Sequence, residues 1–294
     1  MKYWFYLWLL CSQIAVSAAA EPYHLIAGSS ALGFLENEKQ NVNLGFSSVF
    51  NEVLASENVK CDFKNFDNSD ELASAIKNNQ ANAFFGSPLE FLKSEAYLRT
   101  TPIASSVFSN QLKLRILLVV RKDSGIDSLQ QLKNKKLTTQ KWLELDMGGL
   151  YLETLLLENK LPVTKNFFSE IQNTDTSNRA LVDLFFKKTD ATLINENQFD
   201  IAAELNPQLR MQTKILMASE PYLIFLAAMS KNTPEEEVGG IKKSLFSMHK
   251  TAKGRGVLNL MKIQKFQEIS LNELDNVRAL VAKNEKLKAQ NNGH

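Results

Sequence analysis

The stretch from Leu112 to Leu137 limits what this chain can become. Leu112–Arg121 reads Leu-Lys-Leu-Arg-Ile-Leu-Leu-Val-Val-Arg, rich in branched apolar residues and too short for a long helix. That composition predicts a buried strand. Lys122-Asp123-Ser124-Gly125 breaks it as a turn, because Gly, Asp and Ser take up turn backbone readily. Asp127 is placed to cap a short helix, with Gln130 three residues on for the reciprocal bond. Strand, turn, short helix and new strand is how a chain leaves one α/β unit and starts another. Leu112–Arg121 is therefore read as a crossing between two lobes; one more strand in a single sheet is the plainer alternative.

The ends and totals narrow the class. In the first twenty residues Lys2 is the only charge, Tyr3 to Leu10 is apolar and aromatic, and small residues close the segment. Val16-Ser17-Ala18 and Ala18-Ala19-Ala20 both fit a small-x-small cleavage site, so residues 1–20 read as a secretory signal peptide. Ser12 and Gln13 interrupt the segment as a membrane span. Leu10 before Cys11 is bulky where lipidation wants a small residue. The rest is long enough for two ordinary domains. The net charge of +2 leaves no basic surplus for nucleic acid. Cys61 is the one cysteine beyond residue 20, so no disulfide within the exported chain is expected. His24, His249 and His294 are scattered, with no ligand-spaced cluster around them. No metal and no other cofactor is expected.

Strand and helix signals alternate along the chain. Tyr23–Ala27 is a short strand that ends at Gly28-Ser29-Ser30. Phe46, Val49, Phe50, Val53 and Leu54 mark one face of a helix. Strands are predicted at Lys60–Phe66 and Ala81–Phe85, with a helix at Asp70–Asn78 between them. Gly86-Ser87-Pro88-Leu89-Glu90 then gives a capping box at the carboxyl end of a strand, where open α/β sheets bind ligands. The same spacing recurs at Thr233-Pro234-Glu235-Glu236 and Ser270-Leu271-Asn272-Glu273. After the crossing, strands at Leu137–Gln140, Asn166–Ile171 and Ala191–Ile194 alternate with helical patterns. Lys214–Ala218 reads as the return strand and Tyr222–Met229 as the next. Helices near 234–249, 254–262 and 271–289 are expected to pack back on the first lobe. Phe84-Phe85, Phe167-Phe168 and Phe185-Phe186 are expected in the core.

Four segments, in order, resemble one family. They are Asp70-Glu71-Leu72 through Phe84-Phe85-Gly86-Ser87-Pro88, and Val119-Val120-Arg121-Lys122-Asp123-Ser124-Gly125 through Leu129 with Leu132-Lys133. The others are Lys187-Lys188-Thr189-Asp190-Ala191 with Asn195-Glu196, and Lys253-Gly254-Arg255-Gly256-Val257-Leu258 to Phe266. Together they are similar to the phosphonate-binding (phosphate/phosphite/phosphonate) substrate-binding proteins of ABC transporters. The resemblance implies an α/β, two-lobed, type II periplasmic-binding-protein-like fold. Each lobe would be a mostly parallel sheet flanked by helices, the two joined by two crossing strands. Lobe 1 would take 21–112 and 219–294, and lobe 2 residues 113–218. It also implies a periplasmic, monomeric protein, not an enzyme, that closes on a small polar solute and meets an ABC permease. A membrane sensor is the alternative partner, in a signalling role without transport. No nucleic acid and no membrane insertion after signal cleavage are expected.

The loops depart from the family. Its members usually hold phosphonate with a Ser-x-Ser-Gly loop at a helix start, where N–H groups and the helix dipole meet the anion. The corresponding stretch here is Trp142-Leu143-Glu144-Leu145-Asp146-Met147-Gly148-Gly149-Leu150, without serine and with a carboxylate in the loop. The next family loop often carries a Gly-Ser-His-like turn; here it is Asn173-Thr174-Asp175-Thr176-Ser177-Asn178. A carboxylate there competes for the N–H groups and repels an anion. One reading is a changed ligand, cationic, zwitterionic or neutral. It would be held by Asp146, Asp175 and Glu196, with Trp142 and Tyr222 as ring surfaces. Ser29, Ser30, Ser87, Thr176 and Asn195 complete the candidate set. The other reading makes Asp146 and Asp175 plain caps and Trp142 a core side chain. An enzyme has little support: there is no Gly-x-Ser-x-Gly elbow, phosphate loop or zinc motif. Asp146 with Glu196 would be its one carboxylate pair.

Overall fold

The computed structural model describes residues 21–30, 39–140, 143, 146–174 and 176–292. The segment read as a signal peptide, and Trp142 and Asp175, lie outside them. Two sheets flanked by helices carry the chain. The first, in order β13-β4-β12-β3-β1-β2, is built from β1 (Tyr23–Ser29), β2 (Val59–Asn65), β3 (Ala83–Gly86), β4 (Leu98–Val107), β12 (Leu226–Ser230) and β13 (Lys265–Ile269). The second, in order β10-β6-β9-β7-β8, is built from β6 (Ile116–Arg121), β7 (Lys136–Gln140), β8 (Glu170–Thr174), β9 (Ala191–Asn195) and β10 (Thr213–Ala218). Between them β5 (Lys113–Leu114) pairs antiparallel with β11 (Tyr222–Leu223), Tyr222 opposite Leu114. The two crossings thus run side by side as one ribbon.

The expected strand at Leu112–Arg121 is therefore broken at Arg115, its first half in the ribbon and its second in the second sheet. Every residue of β6 is buried, which explains its unbroken apolar run. Leu118 and Val120 face one core and Leu117 and Val119 the other, as strand alternation requires. Tyr222–Met229 likewise splits into β11 and β12. Both sheets are mixed rather than mostly parallel. β1 pairs parallel with β2 and β3, and β7 with β8 and β9. The strands next to the crossings, β4, β6, β10 and β12, pair antiparallel with their neighbours. A chain that enters a sheet from the far side arrives in the reverse direction.

One core runs through both sheets. Leu72, Phe84, Phe91 and Ile103 on the first side join Leu118, Leu137, Leu152 and Leu156 on the second through Leu223. Each such buried side chain contributes about 1.5–3 kcal/mol. The outer face of the first sheet is covered by helices Lys39–Leu54, Glu235–Ser247 and Ala252–Leu260, through Phe46, Phe50, Ile241 and Val257. The outer face of the second is covered by Ser177–Phe185, Glu196–Leu205 and Pro207–Gln212, through Leu181, Leu184, Phe199 and Leu209.

Several sequence expectations shift. β4 and β13 were not expected: β4 carries Thr-Thr-Pro and Ser-Ser inside its span, and β13 is short and charged. The strand expected at Asn166–Ile171 begins only at Glu170, after a helical turn at Thr164–Phe167. The cap expected of Asp127 belongs to Ser128, which forms the box with Gln131. The boxes read at Thr233 and Ser270 do not form side-chain caps. Phe186 stands 64% exposed, unlike the other paired phenylalanines. The helices Glu235–Ser247 and Ala252–Leu260 do pack on the first sheet, but the last, Asp275–Asn292, lies along Met147–Glu158 of the second. Arg278 reaches back to Glu95 on the first side, so this helix spans both.

Candidate functional site

The seam between the sheets is where the structure gathers polar groups. β3 ends at Gly86, and the helix Pro88–Ser94 starts at once. Ser87 is its N-cap: its Oγ accepts from the Glu90 N–H at 3.3 Å, and Glu90 Oε2 accepts from the Ser87 N–H at 2.9 Å. Ser87 Oγ also donates to Asp146 Oδ1 at 3.1 Å. The other Glu90 carboxyl oxygen, Oε1, accepts from Ser30 Oγ. Ser30, Glu90, Ser87 and Asp146 thus form one hydrogen-bonded chain from the end of β1 to the start of helix Met147–Glu158.

Two carboxyl groups share this place. Burial first, and then the charge of Glu90, push the Asp146 carboxyl up to about 7, the bonds from Ser87 and the Met147 N–H only partly offsetting this. Burial also raises Glu90, against bonds from Ser87 and the charge of Lys93. Asp146 stands at an N-cap position, yet its side chain makes no capping bond; it turns to Ser87 instead. The sequence missed Glu90 as a member of this group. Its capping box was visible, but a capping glutamate is ordinarily solvated, and nothing local told of its burial.

The other candidates are dispersed. Ser29, at the end of β1, is wholly buried, and its hydroxyl has no hydrogen-bond partner among the described residues. Thr176 caps Ser177–Phe185 by accepting from the Arg179 N–H at 3.2 Å. Asn195 caps Glu196–Leu205 by accepting from the Gln198 N–H at 3.0 Å. Glu196 starts that helix, with its carboxylate 3.9 Å from Arg115 Nε. Tyr222 is buried in the ribbon, 4% exposed, in the shared core. Its hydroxyl is pushed up to about 12 by burial and by Glu220 and Glu158. A second bond crosses the seam nearby: Ser109 Oγ donates to Asn197 Oδ1 at 2.7 Å. A cavity of about 70 Å³ lies elsewhere, between the first sheet and its outer helices, lined by apolar side chains such as Leu25, Phe50 and Phe85. It offers nothing to a polar solute.

Known proteins of the same fold give this geometry its setting. A Xanthomonas citri protein solved with chloride superimposes with a TM-score of 0.68 at 12% identity, over 91% of this chain and 99% of that one. The same protein has been solved with ATP. A binding-protein component of a phosphonate ABC transporter from Pseudomonas aeruginosa gives 0.67 at 14% identity, over 92% and 89%. PhnD1 of Prochlorococcus marinus, in complex with methylphosphonate, gives 0.65 at 14%, over 90% and 99%. At such identities the likeness is one of fold, the type II periplasmic-binding fold. No curated protein matches the chain. Among the described residues, no helix is long and apolar enough to cross a membrane. The profile of the family described as "ABC transporter, phosphonate, periplasmic substrate-binding protein" matches residues 34–274, and the chain belongs to that family of periplasmic solute receptors.

Proposed function

We propose that this chain is an exported, soluble receptor whose two sheets, each with its helices, move as lobes, and whose solute is not a phosphonate. One observation carries the second half. Where the helix Met147–Glu158 begins, Asp146 is turned to Ser87 and lies beside Glu90. A dianionic phosphonate brought there would meet the two carboxyl groups of Asp146 and Glu90. At ordinary dielectric near a protein surface, a like charge at 4 Å costs about 4 kcal/mol. A cationic, zwitterionic or neutral solute escapes that cost. Asp146, Glu196 and Asp175 are the residues proposed to receive its donors, with Ser30 and Ser87 as hydroxyl partners. The proposed partner is an ABC permease, and no catalytic step is assigned.

A thermal-melt panel tests this. A solute at a hundredfold over its dissociation constant stabilises by about 2.7 kcal/mol. Amines, amino acids and neutral polyols should include a compound that raises the midpoint, while methylphosphonate leaves it unmoved. A methylphosphonate shift would overturn the ligand assignment. A panel with no shift at all would favour the second reading, a lobe pair that docks on a membrane sensor without cargo. The direct Ser87–Asp146 contact, which joins the two sides without a solute between them, speaks for that reading.

A further inference from the structure

We propose that the chain Ser30–Glu90–Ser87–Asp146 is a proton-operated latch between the two lobes, holding them together while the carboxyl pair keeps a proton and releasing them when both groups are ionised. The inference rests on the lobe motion of the receptor reading, but not on any solute.

The geometry is that of a latch. Three separate segments contribute: the end of β1, the start of Pro88–Ser94, and the turn before Met147–Glu158. Ser87 is the pivot, since its one hydroxyl both caps its own helix and donates across the seam. Both ends of the latch are closely packed at a glycine. A Cβ on Gly86 would stand 2.6 Å from Glu90 Oε2, and one on Gly148 would stand 2.5 Å from the Leu143 carbonyl oxygen. The Glu90 carboxyl thus lies directly over Gly86, and Leu143 lies close against the first turn of helix Met147–Glu158.

The chemistry makes the latch sensitive to protons. Among the described residues, the charged group acting on Asp146 is Glu90, and the one acting on Glu90 is Lys93, one turn along its own helix. With one proton in the pair, the chain contains one acid and one carboxylate and no like-charge repulsion. With none, two carboxylates face each other on either side of a serine. Parting the lobes admits water to Asp146 and lets its carboxyl return toward the ordinary value near 3.9. The joined state then holds a proton that the parted state has released. By linkage, the ratio of joined to parted molecules falls about tenfold for each pH unit between roughly 4 and 7, and levels off above.

The experiment uses the full-length exported chain with no solute added, spin-labelled at Lys60→Cys and Lys165→Cys. These positions are exposed, one on each side of the seam, while Cys61 is buried and resists the label. Distance distributions recorded from pH 5 to pH 8 should pass from mainly short to mainly long. Asp146→Asn should flatten that profile, and Ser87→Ala should lengthen the distance at pH 5. A wild-type distribution that stays fixed across this range, or an Asp146→Asn profile that matches the wild type, overturns the latch. A carbon-13 titration of the unlabelled wild type, which needs no variant to fold, should find a carboxyl midpoint near 7; a midpoint near 4 for Asp146 also overturns it. Failure here leaves the solute panel free to succeed, and failure of the panel leaves the latch standing.

Discussion

Asn284 Nδ2 donates to Thr154 Oγ1 at 2.9 Å, and both side chains are buried between the last helix and Met147–Glu158. Thr154 Oγ1 in turn donates to the Leu150 carbonyl at 2.7 Å. This pair adds a buried polar tie to a helix that is also seated by Val277 and Leu280 in the shared core and by ion pairs of Arg278 with Glu95, Lys283 with Glu158 and Lys288 with Glu153. Asn284→Ala removes a buried donor and leaves a void, and should cost about 1–3 kcal/mol. Lys288→Ala should change stability by less than about 1 kcal/mol. Urea midpoints of the two variants check this; equal losses would mean that the ion pairs, not the buried bond, seat the helix.

Ser87 does two jobs, and its removal should show both. Ser87→Ala takes the cap from Pro88–Ser94, a loss of about 0.5–2 kcal/mol. It also strips Asp146 of its partner across the seam. The combined cost should be about 1–3 kcal/mol. Glu90→Gln keeps an oxygen for the Ser87 N–H and should cost less. If Glu90→Gln proves the more harmful in urea unfolding, the charge of Glu90 rather than the cap stabilises this corner.

Two glycines should answer an alanine scan in opposite directions. A Cβ on Gly148 would clash with the Leu143 side chain and carbonyl, both at 2.5 Å. Overpacking of that kind costs about 1–3 kcal/mol. Gly239 lies inside the helix Glu235–Ser247 with open space where its Cβ would be. Gly239→Ala should therefore gain up to about 1 kcal/mol from helix propensity. Thermal melts of both variants give the signs directly.

What the sequence disclosed follows from range. The Ser87-Pro88-Glu90 cap, the buried β6 and the helix faces of Phe46–Phe50 and Ala180–Leu184 are local patterns, and each is present. β4 escaped because its Thr, Ser and Pro residues hide a strand that is paired on both sides. The packing of Asp275–Asn292 escaped because no local signal says which of two helical surfaces Asn284 will meet. The site divides in the same way. Thr176 and Asn195 were singled out as ligand contacts, and the structure uses their side chains as helix N-caps. The approach of Ser87 to Asp146, 59 positions apart in sequence, and the burial of Glu90 beside Ser87 are tertiary facts that no local pattern carries.

Asp146 should give protein stability a pH dependence of unusual sign for an aspartate. Its carboxyl is pushed up to about 7 by burial and then by Glu90, against a value near 3.9 in the unfolded chain. The folded state therefore keeps a proton that the unfolded state has released. The resulting stabilisation is complete below about pH 4 and is lost as pH rises through 7. Asp146→Asn has no such proton, and its amide still offers an oxygen to Ser87. Relative to the variant, the wild type should lose up to about 1.4 kcal/mol per pH unit over that range and then level off. Partial solvation of the carboxyl would shrink the slope without changing its sign. Urea unfolding of both proteins at pH 5, 6, 7 and 8 measures the difference. A constant offset across the four values would mean that the carboxyl ionises at its ordinary pKa, and that Glu90 and burial leave it unperturbed.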